Sequence, residues 1–339
     1  MTLDGLRGVA AFAIFISHTD RFIGQHIPEA FLAVDFFFAL SGFVIAHAYT
    51  ERLRTGLSPR SFLMLRLVRL YPLYILGTAI GVLMLPLISD ADGFSQLAIE
   101  IVAAVLFLPS PVTELLYPFN FPAWTLFHEL LINGAFAALS NLLSRVVLYG
   151  IVAISAVILA GYAIWLGSLD SSNSWVHFEG GLVRVSFPFF AGVLVYRIWQ
   201  KRPAHLNLPA ALLGAVLLSL LSLPEPQQYA AVYHVSLVLL AFPLLLWLGA
   251  SSTPIRPIAT VCSWLGEISY AVYVLHVPMI LAIRVLNTPR DPLWRLVVIV
   301  AAAHLATRYF DRPVRRWLVA WLSCQFSTVA EVPTSHVRF

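Results

Sequence analysis

The hydrophobic positions of this chain come in long unbroken runs rather than in short alternating stretches. Windows of roughly twenty apolar residues fall at about 7–23, 29–49, 62–88, 95–110, 122–143, 146–167, 182–199, 206–223, 229–249, 262–284 and 292–311. Runs of this length suit lipid, where every backbone N–H and C=O must find its partner inside the protein, so that only helices or a closed barrel can cross. Alternating segments of about ten residues would mark a barrel; their lack here selects helices. The expected fold is therefore all-α, a polytopic transmembrane bundle. No tandem repeat, low-complexity tract or appended soluble domain interrupts the pattern, and the expected division is a membrane domain over 1–322 with a short cytoplasmic tail over 323–339. The first run begins at about Leu6, lacks a small-residue cleavage site and contains an Arg and a His, so it is expected to be the first permanent span rather than a cleaved signal.

Composition agrees. Of 339 residues, 60% are hydrophobic and only 11% charged, against about a quarter charged in soluble domains, too few to build a polar shell. The net charge of +4 is neither dense nor gathered on a soluble domain, which argues against a nucleic-acid partner. Of the 21 basic residues all but Lys201 are arginines, most of them at span ends, the pattern of orientation signals and phosphate contacts at a membrane face. Arg52, Arg54, Arg60, Arg66 and Arg69 flank one connection, Arg197, Lys201 and Arg202 a second, and Arg308, Arg312, Arg315 and Arg316 the C-terminal end. Making all of these cytoplasmic puts both termini inside and leaves Asp90, Asp92, Asp170, Glu179 and Glu225 in outer loops. Two termini on one side require an even number of crossings, so eleven windows cannot all span. The weakest is 95–110, short and carrying Glu100; about ten spanning helices plus one short re-entrant or interfacial segment are expected.

Ionisable side chains inside spans are costly and mark function by default. In LDGLRGVAAFAIFISH, Arg7 and His18 stand eleven residues apart, about 20° short of or beyond three full helical turns and roughly 16 Å along the axis. Both therefore lie on one stripe, which joins a cationic mouth to a buried imidazole suited to a general base; a histidine hydrogen-bonded to a neighbouring helix for packing would give the same pattern. VDFFFALSGFVIAH buries Asp35, able to orient an imidazole, pair with an Arg or hold a structural hydrogen bond, while its Ser41 and Gly42 read as close-packing small residues. In LRLVRLYP, Arg66 and Arg69 are one turn apart, a spacing that suits either a polyanion such as a pyrophosphate or topology-fixing arginines. FPAWTLFHELLIN sets Trp124, His128 and Glu129 at the start of a span; position 132 is Ile, so the second His of a zinc-binding helix is missing and no metal is expected. LGEISYAVYVLHVP spaces Tyr270, Tyr273 and His276 at three-residue steps along one helix flank, ordinarily packing. Cys262 and Cys324 have neither metal-like nor framework spacing.

Together these segments resemble the acyltransferase-3 family of polytopic membrane acyltransferases. The likeness rests on Arg-x10-His in the first span, VDFFFALSGF, Arg-x-x-Arg in LRLVRLYP, PAWTLFHE, and GEISYAVYVLHVP followed by DRP, in family order over nearly the whole chain. The resemblance implies transfer of an acyl group, commonly acetyl, from cytoplasmic acyl-CoA to a hydroxyl of a surface or exported carbohydrate or glycolipid, by a multi-pass protein of the plasma (inner) membrane with both termini cytoplasmic. It also implies that His18 is the catalytic histidine with Arg7 its motif partner, that Arg66 and Arg69 serve the donor, and that Glu129 is the motif acid. Asp35 or Glu129 would then hold the imidazole tautomer. His128 departs from the family pattern. A transporter or flippase using the same intramembrane His, Asp and Arg residues is the main alternative, although no pseudo-repeat of two halves is visible.

Overall fold

The computed structural model describes residues 1–19, 27–84, 94–170, 173–201, 206, 208–224, 227–286 and 291–325, and the chain is an all-helical bundle. Each apolar window becomes a helix: α1 (Thr2–His18), α2 (Ala33–Arg54), α3 (Pro59–Met84), α4 (Phe94–Val105), α5 (Ala123–Leu139), α6 (Arg145–Leu166), α7 (Phe178–Lys201), α8 (Ala210–Ser222), α9 (Ala230–Ala250), α10 (Arg256–Val285), and α11 (Pro292–Leu305) continuing into α12 (Arg312–Gln325). Seven stretches among the described residues are long and apolar enough to cross a membrane by themselves. Of the rest, α1 and α5 have 17 residues each, close to a hydrocarbon thickness of about 30 Å at about 1.5 Å per residue. The surface is apolar where soluble proteins are polar: along α6, Val146, Ile154, Val157, Ile164 and Trp165 all face outward. Buried positions instead hold Asp35, His128, Asn133, Arg184, His234 and His276, the polarity expected when lipid is the solvent.

Contacts between helices fix their relative directions. α1 and α10 run parallel, since Gly5 abuts Cys262, Gly8 abuts Leu265 and His18 meets His276. α2 and α7 are also parallel, from Asp35 against Arg184 to His47 against Tyr196. α3 and α5 are antiparallel, with Asn120, just before α5, bonded to Tyr74 O and Arg66 bonded to Glu129. Arg7 thus marks one side of the bundle, the near side, and His18 lies toward the other, the far side.

The parity conflict resolves at α4. Its 12 residues reach only about 18 Å. A Cβ on Gly81, near the far end of α3, would overlap the carbonyl oxygen of Phe119, so the chain is back at the end of α3 before α5 begins. Between these points Tyr71 and Tyr74 of α3 donate to Val105 O (2.8 Å) and Ala104 O (2.7 Å). α4 therefore dips to the level of mid-α3 and returns to the side it left, the re-entrant course expected of segment 95–110, with Glu100 turned inward.

Three details differ from expectation. α1 starts and stops about five residues earlier than the window 7–23, because the polar Thr2-Leu3-Asp4 turn is helical and Asp4 lies beside the N-terminal amine (3.3 Å); His18 accordingly ends the helix instead of standing within it. α12 runs on to Gln325, three residues into the expected tail, whose remainder from 326 lies outside the described residues, as do Asp90, Asp92 and Glu225. Two helices also contain π-turns, Leu237–Ala241 and Ala306–Asp311, each just ahead of a proline, Pro243 and Pro313. A proline removes an i→i−4 hydrogen bond, and one turn of wider helix accommodates the mismatch without breaking the span.

Small residues and buried polar pairs lock the bundle, as helix association in lipid requires. α2 and α7 touch backbone to backbone: a Cβ on Gly42 would overlap Phe189 O, and one on Gly192 would overlap Ala39 O. Beside this crossing the Arg184 guanidinium, 2% exposed, grips the fully buried Asp35 carboxylate through Nη2 (2.6 Å) and Nε (3.3 Å), and also donates to Phe31 O (3.1 Å). His234 of α9 accepts from Leu169 N–H at Nδ1 (3.2 Å) and bonds Glu29 through Nε2 (2.8 Å). Because Nδ1 is an acceptor here, Nε2 carries the proton.

Two outcomes follow for stability. Gly42→Leu should cost about 3 kcal/mol or more by forcing α2 off α7, seen as lost monodisperse protein in detergent, whereas wild-type behaviour would show that the crossing is not tight. Arg184→Leu, leaving Asp35 buried and unpaired, should cost about 3–5 kcal/mol; adding Asp35→Asn should recover part of it in thermal melts, and a double variant no better than the single would argue against the pair.

Candidate functional site

The parallel packing of α1 on α10 brings the first-span motif against the C-terminal one. Arg7 donates through Nε to Ser269 Oγ (2.9 Å) and through Nη2 to Gly266 O, with Asp4 Oδ1 3.5 Å away. The guanidinium is thus anchored to α10 while staying partly exposed. Eleven residues on, His18 ends α1 on the same flank. Its Nδ1 donates to Ile14 O (2.8 Å), as a bond to a carbonyl requires, and this leaves the Nε2 lone pair free. The ring is exposed, with Phe121 and His276 beside it at centroid distances of 6.3 and 5.0 Å. α10 continues nine residues beyond His276, to Val285, so this pair of rings is recessed about 14 Å from the far end of that helix.

Between the two ends runs the row Tyr270, Tyr273 and His276. Arg69 lies over the Tyr270 ring (5.1 Å), and Tyr270 Oη donates to Leu70 O (2.5 Å). Tyr273 shares a 2.8 Å hydrogen bond with Thr125 Oγ1 and packs on Phe37. His276 is fully buried; its Nδ1 faces Tyr273 O (2.7 Å) and Val272 O (3.2 Å). The three-residue spacing that reads as packing in sequence is the wall joining Arg69 to His18.

The two arginines of Arg-x-x-Arg do different things. Arg66 is paired with Glu129 Oε1 (2.7 Å), which also accepts from Ser41 Oγ (2.6 Å). Arg69 has no carboxylate within ion-pair distance among the described residues; its charge reaches Arg7 and Arg315, and also the Asp311 carboxylate, which is itself paired with Arg315 (2.6 Å). A half-buried guanidinium stacked on a tyrosine, with the nearest carboxylate already paired to another arginine, has capacity to take a further anion.

Neither carboxylate expected to orient His18 touches it. Asp35 is committed to Arg184 near the far side, and Glu129 to Arg66 and Ser41 toward the near side. The tautomer is set instead by Ile14 O of the same helix. His128 points away from Glu129, its neighbour in sequence, with Nδ1 at Trp124 O (2.7 Å) and Nε2 at Phe178 O (3.3 Å); two carbonyl partners in a closed setting make it a tie between α5 and α7. Sequence reasoning missed Arg184, the largest fully buried side chain, although an arginine within VRVSFPFF was signal enough. It also took Ser41 for a packing residue. Among the described residues no three His, Cys, Asp or Glu side chains converge as a metal-holding set.

The chain as a whole is similar to known proteins. The model of an acyltransferase domain, that of the acyltransferase-3 family, matches residues 2–307. Protein 2 in the picA locus of Rhizobium radiobacter is 42% identical over 173 residues, covering 46% of this chain and 91% of that protein. The peptidoglycan O-acetyltransferase OatA of Listeria monocytogenes is 23% identical over 361 aligned positions, 93% of this chain and 56% of the relative. A putative O-acetyltransferase of Staphylococcus aureus is 33% identical over 113 residues, 31% of this chain and 17% of the relative. The chain thus spans about half the length of the Listeria protein and less of the staphylococcal one. No solved structure matches it. A match over nearly the whole bundle, taking in both the Arg7–His18 helix and the helix packed on it, means that this multi-pass chain belongs to the acyltransferase-3 family and is an acyltransferase.

Proposed function

We propose that the protein moves an acyl group, acetyl in the simplest case, from acyl-CoA on the near side to a hydroxyl of a carbohydrate or glycolipid reaching His18 from the far side. The observation that carries this is the continuity of one wall: the unpaired Arg69 and the anchored Arg7 at one end, His18 at the other, Tyr270, Tyr273 and His276 between them. The clustering of Arg60, Arg66, Arg69, Arg312, Arg315 and Arg316 at near-side helix ends supports a cytoplasmic near side, with both termini there, in the plasma membrane. The carbohydrate acceptor draws support from the Listeria relative, which acts by its name on peptidoglycan.

In this reading Arg69 and Arg7 take the nucleotide phosphates by charge-assisted hydrogen bonds, while Arg66, neutralised by Glu129, shapes the entrance. The thin pantetheine arm follows the tyrosine row and presents the thioester at His18. His18 Nε2 accepts the proton of the acceptor hydroxyl as the oxygen attacks the carbonyl carbon. The C–O bond forms, the C–S bond breaks, and the proton passes to the departing thiolate. The Ile14 carbonyl, by holding Nδ1–H, keeps Nε2 the basic nitrogen throughout, the part that a third triad member plays elsewhere. Asp35, held by Arg184, acts on this chemistry only through the scaffold.

Purified protein in vesicles should release CoA from acetyl-CoA and transfer label to an acceptor with no ion gradient present; label movement that requires a gradient, without thiol release, would identify a carrier. His18→Ala should lower turnover by at least about 10²-fold while remaining folded and monodisperse, and near-normal turnover in that variant would remove the mechanism. Arg69→Ala should raise KM for acetyl-CoA about tenfold, the loss of one charge-assisted contact, with a smaller change in kcat. An unchanged KM would take Arg69 out of the donor site.

A further inference from the structure

The buried face of the site contains a group that the mechanism above leaves unused. His276 Nε2 is closed off from solvent and has no hydrogen-bond partner among the described residues, although the same ring is held firmly through Nδ1 by carbonyls of its own helix. Those carbonyls can only accept, so Nδ1 carries the proton and Nε2 presents a bare lone pair. Buried side-chain nitrogens are nearly always bonded, and an exception calls for a reason. His18 next to it has the same tautomer: Nδ1–H is given to Ile14 O, and Nε2 carries the lone pair. The two rings stand 5.0 Å apart between centroids in an edge-on arrangement, so that a rotation of the more exposed His18 ring is enough to bring the two Nε2 atoms to N–H···N distance. At rest neither ring has a proton to share. One arrives when His18 takes it from the acceptor hydroxyl.

Resting on the acyl-transfer reading above, we propose that His276 is the proton partner of His18. Its Nε2 accepts a hydrogen bond from the His18 imidazolium during attack and holds the proton between the two Nε2 atoms until the thiolate removes it. The balance is that of the transfer itself: the hydroxyl proton goes to the His18–His276 pair and from there to sulfur, and no other reactant enters. The division of exposure fits this assignment, with His18 open to substrate and His276 wholly buried behind it. His276 is therefore a positioning residue, acting through His18. A site with a protonatable partner behind the base suits an acceptor that arrives as a neutral hydroxyl.

Two substitutions separate this from a structural role. His276→Asn keeps an amide N–H where Nδ1–H was and deletes the Nε2 position; His276→Gln places an amide oxygen or nitrogen near Nε2 and gives up the tie to Tyr273 O. Proton sharing predicts that the Asn protein loses about 10²-fold in kcat with KM for acetyl-CoA unchanged, and that Gln retains more activity than Asn. A purely structural histidine predicts the reverse order, with Asn near wild type, and that order overturns the proposal. Folding is read independently from monodisperse yield in detergent. If only one variant accumulates, its own kcat decides: Asn at wild-type turnover, or Gln no better than His18→Ala, sinks the idea. Should the wild type itself release no CoA from acetyl-CoA, the donor reading fails instead, and the Asn–Gln order is then read from base-labile ester on the surface glycans of cells expressing each variant.

Discussion

The arrangement depends on α1 and α10 lying parallel and in close contact. In lipid there is no hydrophobic gain in pressing one apolar helix on another, so close approach has to come from small residues and hydrogen bonds between helices. Gly5 and Gly8 admit Cys262 and Leu265, and Arg7 bonds the Gly266 carbonyl and the Ser269 hydroxyl. Once those contacts set the register, the common rise of about 1.5 Å per residue carries His18 to the level of His276. A cation and an imidazole far apart along one helix are thereby given a common wall on a second.

Polar groups in the bundle fall into two kinds. One is fully committed: Asp35 with Arg184 and Glu29 with His234. These ties join helices distant in sequence, and their burial makes the loss of either partner expensive. The other kind is left with spare capacity: Arg69 with no carboxylate at ion-pair distance and His276 Nε2 with no hydrogen-bond partner among the described residues, and His18 with an unprotonated Nε2. A protein in lipid cannot leave such groups open cheaply, and all three lie along the same wall.

The re-entrant α4 shows the same economy at the far side. Tyr71 and Tyr74 cap its last carbonyls, which lipid would otherwise leave unsatisfied, and the returning chain delivers Phe121 to the His18 ring. Along the non-helical stretch that follows, Phe107, Ser110 and Leu116 are buried against the bundle while Leu106, Leu108, Val112 and Leu115 stay exposed.

Much of this was legible in the residues alone. Helical class, the number and order of apolar segments, the need for one of them to turn back, and the shared flank of Arg7 and His18 all follow from local periodicity and from parity, which need no knowledge of neighbours. Which polar groups pair does not, because partners such as Asp35 and Arg184, or Ser41 and Glu129, are 149 and 88 positions apart and no local rule links them. For that reason the sequence pointed to Asp35 and Glu129 as supports for the imidazole, while packing tied those two to other partners and set His276 beside His18, leaving the local Ile14 carbonyl, four residues back on the same helix, to hold the imidazole. Periodicity along one helix settles which side chains share a face; only the packing of helices, through contact and desolvation, decides what that face meets.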